Sequence, residues 1–300
     1  MIILCADLGG AGIFQKIKNL LQNNKTKIFR MICYNSILVI FLLTLCESSI
    51  SAGYIRMSTT IQSDVIDQSP ANLSVSIIND GDETAHRVEI ISLSLEDFYI
   101  NNPILIGDLD SGDAFQVDFP IYINKSLLPG IYPIVMKLKF YDSNNYPYSI
   151  LFSHLLTYKE GYESNIKGDI YPVDITANGS GTYTLYIQNL DDMPHNIKIK
   201  LYLPDEFNST FSEQSIPLDS ISVQKIDFQI KNQGGLPGSS YKIYASLEYD
   251  EIHHYSSFVE KTISVFEETE KTSTLLYLVS LIVTFVVLLV IYILLKTRGR

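Results

Sequence analysis

The feature that most constrains this chain is an internal repeat. Residues 72–160 align with residues 182–266 at a shift of about 109 positions, and apolar residues alternate with polar ones in both copies. Alternation with a period of two predicts strands with one buried face, whereas an amphipathic helix needs a period near 3.6. Because neither copy shows a helical period, the repeat predicts two domains of the same all-β type.

The turns between the predicted strands match as well. In both copies one strand ends in asparagine, a Leu-Asp-Ser turn follows later, and a Leu-Pro-Gly turn precedes a long alternating strand. The matching segments are Asn79 and Asn189, residues 109–111 and 218–220, and residues 128–130 and 236–238. About seven short strands with turns every 8–12 residues are typical of an immunoglobulin-like β-sandwich of about 100 residues.

The predicted fold class is therefore all-β, with two tandem immunoglobulin-like β-sandwich domains. We expect the first over residues 54–160 and the second over 161–268, joined by a short hinge near residues 159–161. After Ile90 the alternation of the first copy slips by one residue, which a β-bulge would explain. One transmembrane helix and one signal segment complete the predicted chain.

These turn and core positions resemble the cell-adhesion-related (CARDB-like) β-sandwich repeats of bacterial and archaeal surface proteins. They are similar also to the sandwich domains attached to some secreted α-galactosidases. Archaeal S-layer-associated membrane proteins often carry such repeats before a C-terminal anchor. The resemblance covers about 210 of the 300 residues. It implies scaffolding or adhesion at a cell surface, and it brings no catalytic residues.

A charge-free segment near the C-terminus predicts a membrane anchor. Residues 274–295 contain no charged side chain, and at 1.5 Å per residue a helix of this length spans roughly 33 Å, enough for a bilayer core. Tyr277 and Tyr292 lie near its two ends, as interfacial aromatic residues do. Basic residues follow in the tail 296–300 and acidic ones precede the segment, so the tail is predicted to be cytoplasmic.

A shorter apolar run, residues 37–45, follows basic residues and precedes small ones. This order is typical of a secretory signal peptide, which we assign to residues 31–52. Cleavage is predicted after Ala52, with Ser49 and Ser51 as alternative positions. An uncleaved signal anchor is the alternative interpretation.

Residues 1–22 have no evident role upstream of a signal peptide, whereas Lys25, Lys27 and Arg30 are the basic residues that precede the apolar run. We interpret residues 1–30 as a leader that results from an extended start-site assignment, with Met31 as an alternative start. This leader is excluded from the fold prediction.

Charge and cysteine content exclude several classes of protein. Residues 53–270 contain 13 Lys and Arg against 31 Asp and Glu, so this region carries no basic surface for nucleic acid. The three cysteines are Cys5, Cys33 and Cys46. After Cys46 the chain therefore has no disulfide framework, no cysteine-based zinc site and no thiol nucleophile.

Four Asn-x-Ser/Thr sequons fall in the predicted exported region. They are Asn72, Asn124, Asn178 and Asn208. An outward-facing domain is where glycosylation takes place, so these four are candidate glycosylation sites.

Acidic residues are grouped at 80–83, 108–113, 191–192 and 205–206, all at predicted turns. Carboxylates at turns usually accept hydrogen bonds from backbone N–H groups, so we predict turn capping rather than acid–base catalysis. Calcium binding at residues 80–83 or 108–113 is the alternative. We accordingly predict no catalytic, metal-binding or cofactor-binding residue.

Two further groups are assigned structural roles. His253 and His254 would face opposite sides of a strand and are predicted to lie solvated at a hairpin tip. Tyr141, Tyr146 and Tyr148 lie near one hairpin, and we interpret them as amphipathic strand residues rather than as a platform for a sugar.

The sequence thus predicts a non-enzymatic, single-pass type I protein of the cell membrane that acts as a cell-surface scaffold or adhesion protein. Expected partners are other cell-envelope proteins or glycans, the membrane through residues 274–295, and no nucleic acid. One alternative is an accessory subunit of a membrane transporter or secretion system, for which Ser280 and Thr284 form a weak helix-packing motif. A second alternative is a sugar-binding ectodomain.

Overall fold

The computed structural model describes residues 53–93, 98–100, 103–123, 126–171 and 174–267. These residues form seventeen β-strands and no helix, so the predicted all-β class is confirmed and the pairing fits an immunoglobulin-like β-sandwich. The described part of the chain contains no helix long and apolar enough to cross a membrane. The predicted leader, signal peptide, anchor helix and cytoplasmic tail lie outside the described residues.

The first repeat contains eight strands in two four-stranded layers. The strands are β1 (Met57–Gln62), β2 (Ala71–Asn79), β3 (Ala85–Ser92), β4 (Phe98–Ile100), β5 (Ile104–Leu109), β6 (Ala114–Ile123), β7 (Gly130–Tyr141) and β8 (Pro147–Tyr158). One layer has the order β1-β2-β6-β4, and the other has the order β5-β3-β7-β8. Side chains such as Leu73, Ile121 and Ile134 are fully buried between the layers.

The second repeat has the same arrangement with one additional short strand. The strands are β9 (Ile166–Tyr171), β10 (Ile175–Thr176), β11 (Ser180–Asn189), β12 (His195–Tyr202), β13 (Phe207–Ser209), β14 (Glu213–Leu218), β15 (Val223–Asn232), β16 (Ser240–Asp250) and β17 (His254–Phe266). The layers are β9-β11-β15-β13 and β14-β12-β16-β17, and β10 pairs with β17. Tyr183, Ile187 and Ile243 belong to its separate core.

A buried asparagine fixes the same turn in both repeats. We call this residue, Asn79 in the first repeat and Asn189 in the second, the clamp asparagine. The Nδ2 group of Asn79 donates to the carbonyls of Glu83 at 2.8 Å and Leu109 at 3.0 Å, and its Oδ1 accepts from the Gly81 N–H at 3.0 Å. Asn189 makes the equivalent three bonds at 2.8, 2.9 and 2.9 Å. Because both side chains are fully buried, these bonds replace water for backbone groups that would otherwise lack partners.

The predicted bulge in the first repeat lies earlier than the sequence suggests. The pairing of β3 shifts between His86 and Glu89, where Arg87 adopts a positive φ of 52°. Val88 and Ile90 therefore point into the core, whereas Leu93 packs in a third cluster outside it. Because the register is regular from Glu89 to Ser92, the slip after Ile90 reflects this second apolar contact and not the bulge.

The strands after the Leu-Pro-Gly turns are buried on both faces in their central parts. In β7 the consecutive residues Ile134, Val135 and Met136 are all buried, and β16 is buried from Ile243 to Tyr249. The alternation in the sequence predicts only one buried face for these strands. The second face is covered because the outer surface of each sheet packs against the other repeat.

Replacing the clamp asparagine Asn79 by alanine should destabilise the first sandwich. The substitution removes three hydrogen bonds and leaves buried backbone groups unpaired, for which we expect a loss of roughly 2–4 kcal/mol in the free energy of unfolding. Urea unfolding of the purified full chain, followed by far-UV circular dichroism, measures this loss. The exposed Asn196→Ala on β12 is the matched control, with an expected change within about 0.5 kcal/mol; equal effects of the two substitutions would contradict the proposed clamp.

Candidate functional site

Several polar side chains with unusual environments lie at the contact between the two sandwiches. A cluster of apolar residues from both repeats forms the centre of this contact. It consists of Val135 and Leu151 from the first repeat and Tyr202 and Tyr244 from the second, with Leu93 and Phe258 packed against them. Burial raises the pKa of Tyr244 to about 12, so its hydroxyl stays neutral over the physiological range.

At one end of this contact the backbones of the two repeats touch. The N–H of His254 donates to the carbonyl of Pro129 at 2.9 Å, and Gly130 pairs with His254 across β7 and β17. A Cβ atom on Gly130 would lie 2.0 Å from the carbonyl oxygen of His254. Only glycine therefore permits this approach.

Side chains reinforce the backbone contact. The His254 ring stacks on Tyr132 with centroids 3.9 Å apart and planes 3° from parallel. The Nδ1 atom of His254 lies 2.7 Å from an Asp250 oxygen, and the Ser256 hydroxyl donates to the carbonyl of Ile131 at 2.6 Å. This finding corrects the prediction of a solvated histidine pair: the hairpin is present, but His254 is only 7% exposed, because the first sandwich covers it.

At the other end a buried carboxyl group joins the repeats. Glu206 is 5% exposed, and both of its oxygens accept hydrogen bonds from Ser149, one from the N–H and one from the hydroxyl, each at 2.6 Å. The Ser149 hydroxyl accepts in turn from the N–H of Asp205 at 2.7 Å. Burial raises the pKa of Glu206 above its usual range, although the bonds from Ser149 act in the opposite direction.

Next to this group an ion pair crosses the contact. Asp205 accepts from Lys137 and from Lys139, the latter at 2.6 Å. Partial burial alone would raise the pKa of Asp205, but the two ammonium groups lower it. The hydrogen bond with Asp205 raises the pKa of Lys139, so both partners of this pair remain charged at neutral pH.

A cavity of about 240 Å³ lies beside the buried carboxyl group and is lined by both repeats. Tyr146 lines it and donates its hydroxyl to the carbonyl of Gly234 at 2.5 Å, and the Tyr146 and Tyr148 rings lie with centroids 5.2 Å apart. Burial raises the pKa of Tyr148 to about 12. Arg87 lies over the ring of Tyr141 at 3.7 Å. The three tyrosines thus make contacts within the molecule.

The connection between the repeats is held in place at residues where a hinge is expected. The N–H of Lys159 donates to the carbonyl of Ile66 at 2.7 Å. Tyr162 stacks on His253 with ring centroids 3.9 Å apart. The segment therefore follows the contact between the sandwiches instead of leaving them independent.

Three of the four candidate glycosylation sites lie in the described residues. Asn72 on β2, Asn178 in the turn after β10 and Asn208 on β13 are exposed, as attachment of a glycan requires. Asn124 lies outside the described residues.

The carboxylates of the first repeat accept hydrogen bonds from backbone N–H groups, and Asp108 lies on β5 rather than at a turn as predicted. Asp82 accepts from the Tyr54 N–H at 2.7 Å, and Asp108 accepts from the Arg87 N–H at 2.9 Å, a bond that together with His86 lowers the pKa of Asp108. Among the described residues no group of three or more His, Cys, Asp or Glu side chains could hold a metal ion.

Asp205 and Glu206 lie at a turn as predicted, but the partner of the Glu206 carboxylate is not in that turn. The Glu206 carboxyl group is buried because Ser149, 57 positions away, approaches it from the other repeat. No local signal identifies that contact. The runs of consecutive apolar residues in β7 and β16 are the signal that could have indicated a second buried face.

The chain is similar to several solved structures. No protein-family model and no curated protein matches the chain. Similar solved structures include trypsin-activated alpha-2-macroglobulin from Escherichia coli, at 9% identity and a TM-score of 0.30 over 71% of this chain and 18% of that protein. A variant of Salmonella alpha-2-macroglobulin is similar at 9% identity and a TM-score of 0.29, over 71% of this chain and 16% of that protein.

Red sea bream transglutaminase is also similar, at 8% identity and a TM-score of 0.25 over 74% of this chain and 33% of that protein. The chain thus spans a third or less of the length of each of these proteins. Because the TM-scores are low, the assignment of the fold rests on the strand pairing described above.

Replacing Gly130 by alanine should open the contact between the sandwiches. The added methyl group has no room beside His254, so we expect a loss of about 1–3 kcal/mol and faster amide exchange at His254. Hydrogen exchange with mass spectrometry measures both repeats in one experiment. Gly234→Ala is the matched control, because its Cβ would meet no atom closer than 3.8 Å; unchanged exchange at His254 in Gly130→Ala would argue against the contact.

Replacing Glu206 by glutamine should remove one pH-dependent contribution to stability. The folded-state pKa is raised above the ordinary value of 4.5, so the stabilising contribution of the protonated carboxyl is complete below that pH and is lost as the pH rises through the raised pKa. The stability of wild type relative to Glu206→Gln should therefore fall as the pH rises from the unfolded-state to the folded-state pKa, by at most about 1.4 kcal/mol per pH unit. Urea unfolding between pH 4 and about 8 measures this difference.

The exposed Glu163→Gln is the control for the loss of one carboxyl group. A wild-type stability that keeps a constant difference from Glu206→Gln over the whole pH range would show that Glu206 titrates normally.

Proposed function

We propose that this chain is a membrane-anchored cell-surface scaffold or adhesion protein. Its two immunoglobulin-like domains serve as one stiff ectodomain that contacts envelope proteins or glycans, and it is not an enzyme. The observation that carries this proposal is the contact between the sandwiches, in which Glu206, Tyr146 and His254 each reach the opposite repeat. A scaffold needs its binding surfaces held at fixed positions, and a contact of this kind holds them.

The chemistry of the buried groups agrees with a structural role. Both oxygens of Glu206 are occupied by Ser149, so its raised pKa accompanies a contact between repeats. Tyr146 and Tyr148, the residues considered for sugar stacking, pack at the same contact. These observations favour scaffolding over hydrolysis or sugar binding as the role of this region.

The proposed position at the membrane follows from the sequence beyond the last strand. β17 ends at Phe266, and the charge-free segment 274–295 begins after a short acidic stretch. The basic tail 296–300 assigns the ectodomain to the outer side by the positive-inside rule. The proposal is therefore a single-pass type I protein of the cell membrane, with its signal removed near Ala52.

The predicted topology can be tested by cysteine labelling. A chain with Cys5, Cys33 and Cys46 replaced by serine has no thiol, so one new cysteine reports one position. A membrane-impermeant maleimide should label Gln68→Cys, an exposed position, on intact cells. It should label Thr297→Cys in the tail only after lysis. The measurement is the labelled fraction by gel shift.

Labelling of Thr297→Cys on intact cells, or protection of Gln68→Cys, would contradict the proposed orientation. Lysed cells provide the internal control, because both positions must then react. Recovery of either variant in the soluble fraction would contradict the anchor itself.

Deletion of residues 54–268 tests the function. The shortened chain keeps the signal and anchor but loses both sandwiches, so we expect altered envelope composition and reduced adhesion of cells. Mass spectrometry of the envelope and an adhesion assay measure these effects. Unchanged composition and adhesion would contradict the proposal, whereas stable co-purification with a transporter from mild detergent would favour the accessory-subunit alternative.

A further inference from the structure

One end of the second sandwich exposes apolar side chains on three neighbouring turns. The turns join β11 to β12, β14 to β15, and β16 to β17. We call the exposed apolar residues in these turns, together with Val223 at the start of β15, the apolar tip: Leu190 (52% exposed), Met193 (53%), Ile221 (76%), Val223 (58%) and Ile252 (82%).

Hydrogen bonds hold the three turns together. The N–H of Ile221 donates to the carbonyl of Asp191 at 2.9 Å, which joins the second turn to the first. His195, at the start of β12, lies 3.2 Å from an Asp191 oxygen and 3.1 Å from a Glu251 oxygen, which joins the first turn to the third. The apolar tip is therefore one surface on a fixed frame.

The first repeat shows that the fold does not require apolar residues at these positions. Its equivalent turns, which use the same clamp asparagine, contain polar or small residues instead. In the same order, the equivalents of the first four residues of the apolar tip are Asp80, Glu83, Gly112 and Ala114. The turn from β7 to β8 is two residues longer than the turn from β16 to β17, and in place of Ile252 it contains Asp142, Ser143, Asn144 and Asn145. Apolar exposure on all three turns of one repeat, against polar or small residues in the other, is thus a property of the surface, not of the fold.

Ile221 strengthens this conclusion because its backbone is strained. It adopts a positive φ of 46°, whereas Gly112 occupies the same position of the first repeat at 82°. A β-branched residue disfavours this region, and glycine adopts it freely. The second repeat therefore retains an isoleucine where glycine would fit better, and this side chain is 76% exposed.

Charge indicates what binds there. The same three turns and the strand residues that flank them contain five carboxylates and neither lysine nor arginine. The acidic residues are Asp191, Asp192, Asp219, Asp250 and Glu251. An apolar centre with an acidic rim complements a surface with apolar residues at its centre and basic residues around them.

We propose that the apolar tip is the docking surface for a protein partner that presents apolar side chains ringed by lysine or arginine. A second copy of this chain would bring the acidic rims together, and an anionic membrane surface would be repelled by them. The proposal rests on the proposed function, because β17 leads from the apolar tip to Phe266 over roughly 40 Å and so directs the tip away from the predicted anchor.

Site-specific photocrosslinking in the full chain tests this proposal. A benzophenone side chain replaces Ile252 in cells that normally express the protein, and the same probe at the exposed Ser143, in the corresponding turn of the first repeat, is the matched control. We expect a protein adduct at position 252 that exceeds the adduct at 143 about tenfold, as specific contact exceeds random collision. Mass spectrometry should locate the crosslink on a partner surface with apolar and basic residues.

Two variants decide whether the apolar tip causes the adduct. The first gives the tip the residues of the first repeat: Leu190→Asp, Met193→Glu, Ile221→Gly and Val223→Ala. It should fold, since the first repeat folds with these residues, and it should lose the adduct. The second variant, Asp192→Lys with Asp219→Lys, keeps the apolar residues but reverses part of the rim, and it should reduce the adduct severalfold.

The following outcomes would overturn the proposal: an adduct with a second copy or with lipid, equal adducts at positions 252 and 143, or an adduct that both variants leave unchanged. Circular dichroism checks the fold of each variant. If the fourfold variant does not fold, Ile221→Gly alone replaces it, because this substitution relieves the backbone strain. Cysteine labelling tests the anchor separately, so the failure of the proposed function and the failure of this docking surface are distinguishable.

Discussion

Burial of the Glu206 carboxyl between two sheets is the constraint on which the contact between the repeats depends. A buried carboxyl without partners would cost several kcal/mol, so Ser149 must meet both of its oxygens, as it does at 2.6 Å. That requirement fixes the position of β8 against the second repeat. Tyr146, Lys139 and Asp205 can then make their own bonds across the same contact. Polar groups thus determine which arrangement forms, while the apolar cluster supplies the buried area.

The Leu-Pro-Gly sequence shows how one motif takes two roles in repeated domains. In the second repeat Gly238 adopts a positive φ of 82° and makes a turn, as a Pro-Gly pair predicts. In the first repeat Gly130 is needed for a different reason, since any Cβ would collide with the backbone of His254. In the first repeat the glycine of the motif therefore allows the backbone of the second repeat to approach closely. The two repeats share the same fold, but the role of this glycine differs where one repeat contacts the other.

Sequence periodicity predicted the strands, the repeat and the asparagine turns because each of these depends on neighbours along the chain. It placed the bulge of β3 too late and gave β7 and β16 one buried face, since the outer faces are covered by residues far away in sequence. His254 was predicted to be solvated, and Glu206 to cap a turn, for the same reason: their burial comes from Tyr132 and Ser149 of the other repeat. The contact between repeats could have been inferred only from the consecutive apolar residues Ile134, Val135 and Met136, which a strand with one buried face does not need.

Two copies of one fold in a single chain separate structural requirements from functional ones. Asn79 and Asn189 are the same residue with the same three bonds, so the fold requires them. Gly112 and Ile221 occupy one position with different residues, and the isoleucine is the less suitable of the two for the backbone. A residue that disfavours its own conformation and is exposed to solvent contributes little to folding. Its presence is therefore explained by what it contacts outside the domain, and the acidic turns around it determine the charge of that contact.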